Sequence, residues 1–288
     1  SPRWLGTILL PTTSSRRCST RVSPIGWRRQ SVPRPGVREW CAIAEARRVD
    51  RPLIRAVTYD FWNTLIGEHD SPEDQRVDRV MVALASVKAD VAKEALLAAT
   101  AAAESFYEVR WRENRPFSPE EWSAQVLGEL SIDDPAAHDA VAAELHRGLP
   151  VTQRILAPGI ADTLRTLKDA GIKVGIVCDV GITPSTALRG YLEHFEVLKY
   201  FDHWSFSDDV GIYKPDARIF DHALDGLGVA AGETAHVGDL RRTDVTGALG
   251  RGITAVRYRH WRDDQTELPE ADMVLDHHPD LPAMLGIG

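Results

Sequence analysis

From Leu53 onward the sequence alternates between two hydrophobic periods, and this restricts the fold more than any other feature. Short runs dense in apolar and β-branched residues recur: LIRAVTYDF (53–61), IKVGIVC (172–178), HWSF (203–206), TAHVGD (234–239), ITAVRY (253–258) and DMVL (272–275). Continuous apolar runs of this length predict strands buried on both faces. Between them the spacing turns helical. GIADTLRTLKDAG (159–171) sets Ile160, Leu164 and Leu167 on one face and ends on Gly171. TPSTALRGYLEHF (183–195), DARIFDHALDGLG (216–228) and the shorter TDVTGALGRG (243–252) follow suit. Strands alternating with helices predict βαβ units, and so an α/β, Rossmann-like, doubly wound parallel sheet.

Residues 66–158 break the alternation: no convincing strand is read there, only helices. Ser71-Pro72-Glu73-Asp74 and Ser118-Pro119-Glu120-Glu121 each place a capping hydroxyl before a proline at the first helical position, with an acid three residues past the cap. Asp134-Pro135 opens a further helix and Gly148 closes it, while Val77, Val80, Met81, Leu84, Val87 and Val91 follow one helical spacing. The expected organisation is a catalytic core of residues 51–65 and 159–288 with a helical cap, 66–158, inserted after the first strand.

The first 50 residues differ in kind. They hold ten arginines, no lysine and three acids, a net +7, whereas the rest of the chain carries −15. Rich in Arg, Ser and Pro and without period, they bury too little apolar surface to offset their ordering entropy and read as a disordered basic arm. Two other readings stay open: translated sequence upstream of the true start, since position 1 is Ser, and an Arg-rich, acid-poor transit peptide. An acidic body argues against nucleic acid as partner. No run of about 18 apolar residues predicts a membrane-spanning helix. Cys18, Cys41 and Cys178 form no metal-type or redox-type pair, so a reducing, cytoplasmic setting is expected.

Ligands of doubly wound sheets bind beyond the carboxyl ends of the strands, and the charged residues of this chain fall there. Asp60 closes the first strand, Lys214 follows the FSDDVGIYKPD turn, Asp239 closes TAHVGD, and Asp244 lies five residues on. A carboxylate nucleophile, a lysine and two further carboxylates suit phosphoryl transfer: Asp60 attacks phosphorus and forms an aspartyl-phosphate. Carboxylates gathered at one edge repel unless a cation sits among them, and Mg²⁺, a hard ion that takes carboxylates, water and phosphate oxygen, is the apt one. Lys214 then offsets the remaining phosphoryl charge.

DFWNTL, GIVCD, YKPD and GDLRRTDVTGA, in that order, resemble the haloacid dehalogenase superfamily of hydrolases over about residues 53–285. The resemblance implies a Rossmann-like core, a mobile helical cap after the first strand, and Asp60 as nucleophile. It implies Mg²⁺ held by Asp60, the backbone carbonyl of Trp62 and Asp239, with Asp244 as a further ligand or orienting a metal-bound water. Thr64, Cys178, Asp179 and Lys214 would meet an anionic small-molecule substrate, most simply a phosphorylated metabolite. Two positions depart from the family pattern. Trp62 stands where the phosphatases carry a second aspartate, the general acid–base, and where the dehalogenase branch tends to have an aromatic residue. Cys178-Asp179 replaces a Ser or Thr followed often by Asn; a thiol is a poor donor to phosphate, and Thr183 and Ser185 are the hydroxyls that would replace it.

Several other residues are read as structural. Trp62 is expected to pack and close the site, Cys178 to be buried, Arg110, Arg112 and Arg115 to form a solvated helix face, His277 and His278 to lie on the surface, and His236 to be a satisfied core residue. The function expected is a Mg²⁺-dependent phosphatase. A carbon–halogen hydrolase without metal, and a binding or regulatory protein that has lost turnover, are the alternatives.

Overall fold

A strand with apolar side chains on both faces needs cover on both sides, and the strands that read that way all join one sheet. The structure, a computed structural model, describes residues 53–68 and 72–287. The basic arm, residues 1–50, and the expected cap residue Ser71 lie outside the described residues. In chain order the strands are β1 (Ala56–Tyr59), β2 (Ile66–Glu68), β3 (Arg154–Leu156), β4 (Lys173–Cys178), β5 (His203–Phe206), β6 (Thr234–Gly238), β7 (Thr254–Tyr258) and β8 (Met273–Leu275). Six of them form one parallel sheet in the order β5-β4-β1-β6-β7-β8. Each coincides, to within a few residues, with one of the apolar runs. Tyr59 of β1 pairs with Ile176 on one side and Val237 on the other. The chain order reverses at β1, so the crevice beyond its carboxyl end is the switch point where such sheets bind ligands.

Among the described residues the α-helices of five residues or more are α1 (Pro72–Ser86), α2 (Lys93–Arg112), α3 (Pro119–Glu129), α4 (Pro135–His146), α5 (Ile160–Asp169), α6 (Ser185–His194), α7 (Ala217–Leu227) and α8 (Thr246–Gly250). Ile160, Leu164 and Leu167 of α5 pack with Val57, Val174 and Ile176, while α7 brings Ile219, Phe220 and Ala223 against Val177, Ala248 and Ile253. Helices α1 to α4 enclose an apolar core of their own, built on Val80, Leu84, Leu96, Trp122, Val126 and Val141. The capping box reads out as expected: the Ser118 hydroxyl accepts from Glu121 N at 3.2 Å, and the Glu121 carboxylate accepts from Ser118 N at 2.9 Å. Asp134 accepts from Ala136 N at 3.0 Å. Among the described residues no helix is long and apolar enough to cross a membrane.

Three expectations need correcting. Residues 66–158 do contain strands: β2 and β3 pair antiparallel, Ile66 with Leu156 and Glu68 with Arg154. Three-residue strands that pair across the whole insert leave no local period. The apolar series from Val77 to Val91 is not one helix, because α1 stops at Ser86 and Lys88 takes φ 62°; Val87 and Val91 pack on the helical core from the connection. His278 is buried rather than on the surface. Its Nε2 donates to the Thr64 carbonyl at 2.8 Å and its ring stacks on Tyr258, centroids 4.1 Å apart.

Trp122 is fully buried, yet its indole N–H has no partner. An unpaired buried donor costs about 1–3 kcal/mol, so Trp122→Phe should change stability by less than about 1 kcal/mol. Trp122→Ala, which opens a cavity, should lose about 3–5 kcal/mol; urea melts of both variants check this.

Burial pushes the His278 pKa down to about 4, against the opposing pull of the Thr64 carbonyl. In the unfolded chain it returns to about 6.5. Between these values the unfolded state binds more protons, so stability is full above about pH 6.5 and falls as pH drops toward 4. The loss from this residue is on the order of 3 kcal/mol. Melts from pH 7 to 4 should show a shallower decline for His278→Gln than for the wild type.

Candidate active site

The acids at the strand ends are placed by backbone bonding that the strands begin and the turns complete. Asp60 N donates to Val237 O at 2.8 Å, one step past the end of β1. The chain then winds back on itself: Leu65 N and Ile66 N both donate to Phe61 O, at 2.9 and 3.0 Å, through Asn63 at φ 54°. Asparagine tolerates that left-handed conformation better than most residues. Asp179 directly follows β4 and Asp239 directly follows β6. A π-helical turn, Arg241–Val245, then brings Asp244 back against β6, where its carboxylate accepts from Leu240 N at 3.0 Å. Gly238 makes this approach possible, since a Cβ there would lie 2.3 Å from the Asp244 carboxyl carbon.

Lys214 joins these elements. Its ammonium donates to Asp60 Oδ1 at 2.6 Å and to Asp244 Oδ1 at 2.7 Å, and its backbone N–H donates to Asp179 Oδ1 at 2.9 Å. It is 2 % exposed. Burial opposes its charge, but Asp244 and Asp60 together raise its pKa well above the ordinary lysine value. Burial would likewise raise Asp244, yet Lys214 and His236 hold that carboxyl below the usual range. His236 Nε2 donates to Asp244 at 3.1 Å while Nδ1 takes the Thr58 hydroxyl at 2.9 Å, which makes it the satisfied core residue expected. Burial lowers its pKa, so it acts as a neutral donor.

Asp60, Asp239 and Asp244 each present an oxygen within 4.8 Å of the others. One ammonium does not balance three carboxylates. Burial raises Asp60 to about 7, with Asp244 adding to the effect and Lys214 opposing it. Asp239 goes well above its ordinary value through burial and the charges of Asp60 and Asp244. Its Oδ2 is buried without a hydrogen bond, and the nearest cation is the half-exposed Arg262 guanidinium at 3.7 Å. An orphaned buried carboxylate oxygen within an all-oxygen set fits a hard divalent cation.

These residues line a cleft of about 390 Å³. Core residues Asp60, Trp62, Asp179, Lys214, Asp239 and Asp244 form one side, and Tyr107, Glu108, Trp111 and Arg112 of α2 face them. Trp111 Nε1 donates to Asp179 Oδ2 at 3.4 Å, and the Arg242 guanidinium covers its ring at 3.7 Å. Trp62 walls the cleft, its indole lying under Arg154 at 4.9 Å, and Arg154 is ion-paired with Glu68. Thr64 and Cys178 are fully buried and do not line the cleft; burial raises the Cys178 pKa well above the usual thiol value. Thr183 and Ser185 are buried and also absent from its wall. Arg110 is tied to Pro116 O and Arg115 to Glu113, whereas Arg112 reaches the cleft. Sequence reading missed Tyr107 and Trp111; their spacing of four residues on one helix, both aromatic, was the available signal.

The haloacid dehalogenase-like hydrolase family model matches residues 54–250, and the chain belongs to that family. A glyceraldehyde 3-phosphate phosphatase of Methanopyrus kandleri is 31 % identical over 130 residues, which are 44 % of this chain and 54 % of that relative. The chain thus spans about half the length of that curated relative. The haloacid dehalogenase-like hydrolase domain-containing protein 3 of Danio rerio is 28 % identical over 170 residues, 57 % of this chain and 68 % of that protein. The crystal structure of a HAD phosphatase from Thermococcus onnurineus superposes with a TM-score of 0.57 at 24 % identity, over 81 % of this chain and 98 % of that one. Such a likeness shows a common fold.

Because burial and the charges of Asp60 and Asp244 disfavour an ionised Asp239, Asp239→Asn should raise the Tm of the protein in chelator. Thermal melts in chelator at pH 8 check this. An unchanged or lower Tm would mean that the three carboxylates are already balanced.

Proposed function

We propose that the protein is a Mg²⁺-dependent phosphatase acting on a small phosphorylated metabolite through an aspartyl-phosphate on Asp60. The observation that carries this reading is the buried ammonium of Lys214 clamped between Asp60 and Asp244, beside the unpaired Asp239 oxygen. A carboxylate held at a strand end is a positioned nucleophile. Its oxygen bonds to phosphorus as the ester oxygen departs, and Lys214 offsets charge that builds on the phosphoryl group. Asp60, Asp239, Asp244 and the Trp62 carbonyl would hold the cation, which when bound shields the nucleophile from an anionic substrate and favours its ionised form.

In this reading residues 66–158 act as a cap over a core of 51–65 and 159–288. Support comes from the separate apolar core of α1 to α4 and from the α2 side chains in the cleft wall. The phosphatase name of the Methanopyrus relative points to a phosphorylated metabolite as substrate class. Thr64 and Cys178, both buried and outside the cleft wall, are not assigned a substrate contact in this reading. The aromatic Trp62 in place of an acid favours a second reading, a carbon–halogen hydrolase in which Asp60 forms an ester with carbon.

A panel of phosphate monoesters and 2-haloacids, run with Mg²⁺ and with chelator, separates the two. Phosphate release should require Mg²⁺ and fall by about 10³-fold or more in Asp60→Asn. Halide release that survives chelator would establish the dehalogenase reading. Tight binding of phosphate analogues without turnover would mark a regulatory protein.

A further inference from the structure

Trp62 has no proton to give, yet an alkyl phosphate monoester needs one at its leaving oxygen. Among the described residues of the cleft wall, few groups can supply it. Asp60 and Asp244 are engaged by Lys214, and Asp239 belongs to the cation-binding set. Glu108 is exposed and ion-paired with Arg112 at 2.8 Å. Burial raises the Tyr107 hydroxyl far above neutrality. Asp179 remains. It sits at the end of β4, the strand paired with β1, so it and Asp60 leave the same edge of the sheet side by side.

We propose that Asp179 is the proton-transfer residue of this enzyme, serving in place of the acid that Trp62 displaces. The inference rests on the phosphatase reading above. Each Asp179 oxygen has one donor: Oδ1 the Lys214 N–H at 2.9 Å, and Oδ2 the Trp111 indole at 3.4 Å. The second bond is long, which leaves Oδ2 the oxygen better able to carry a proton. Lys214, Trp111, Tyr107, Tyr213, Asp244, Arg242 and Cys178 surround it. Burial lifts its pKa to about 6, with Lys214 pulling it back. A value near neutrality suits a group that both gives and takes a proton.

In the first step the Asp60 oxygen–phosphorus bond forms, the ester phosphorus–oxygen bond breaks, and the Asp179 proton passes to the departing oxygen. In the second, water attacks phosphorus and gives its proton to the Asp179 carboxylate as the bond to Asp60 breaks. Alcohol and inorganic phosphate leave, and both aspartates return to their starting states.

The test compares Asp179→Asn with wild type on p-nitrophenyl phosphate, whose leaving group needs no proton, and on glycerol phosphate, whose leaving group does. The amide still accepts from Lys214 N–H, so Lys214 keeps its place. The ratio of kcat/KM for glycerol phosphate over nitrophenyl phosphate should fall by about 10²–10⁴-fold in the variant. Stopped-flow mixing with nitrophenyl phosphate should show a burst of nitrophenolate, because the aspartyl-phosphate then lacks a base for hydrolysis. An equal loss on both esters, or no burst, would make Asp179 a structural support and overturn the proposal. If the variant does not fold, the wild type carries the test: its substrate ratio should decline from pH 5 to 8, and a flat ratio overturns the proposal. Wild type inert toward both esters with Mg²⁺ would instead overturn the phosphatase reading beneath it.

Discussion

One ammonium group organises the site. Lys214 is withdrawn almost wholly from water, a position that disfavours its charge unless anions surround it. Asp60 and Asp244 meet it directly, and Asp179 fixes its backbone. The four residues come from four separate stretches of the chain: the ends of β1 and β4, the loop before α7, and the turn after β6. A buried charge pair is weak evidence of stability, because desolvation can exceed the attraction. Here the arrangement gathers three carboxylates about one buried ammonium, an all-oxygen set of a kind that suits a hard cation.

The rest of the fold serves this placement. The parallel sheet puts strand ends side by side at the switch point, and helices on both faces keep the strands buried. The helical insert leaves the core just after Asp60 and returns just before α5, and its residues Tyr107, Glu108, Trp111 and Arg112 line the cleft. Trp111 ties the two parts through its bond to Asp179 and its stack with Arg242, and Arg242 also holds Asn114 at 2.9 Å.

Most of the core was legible because buried parallel strands write long apolar runs and their helices write a 3.6-residue period. Asp60, Lys214, Asp239 and Asp244 were legible for a related reason: a charged residue at the end of an apolar run has few bland explanations, and the structure brings the four together. What sequence could not show was contact at a distance. The β2–β3 pair, the burial of His278 under the Thr64 carbonyl, and the reach of Tyr107 and Trp111 into the cleft join residues far apart in the chain. Thr64 and Cys178 lie in the turn after β1 and at the end of β4, and both side chains are buried away from the cleft wall, an orientation that sequence does not give.

Arg154 gives Trp62 a second meaning. Its guanidinium lies near the rings of Trp62 and Tyr191 and pairs with Glu68, so it joins the β2–β3 pair to the residue that walls the cleft. That strand pair is the stem on which α1 to α4 leave and rejoin the core. Arg154 thus links the Trp62 indole to the two strands through which the insert leaves and rejoins the core. The tryptophan at position 62 therefore serves two surfaces at once, the wall of the cleft and the base of the insert, where an acid would offer the guanidinium no ring to lie on.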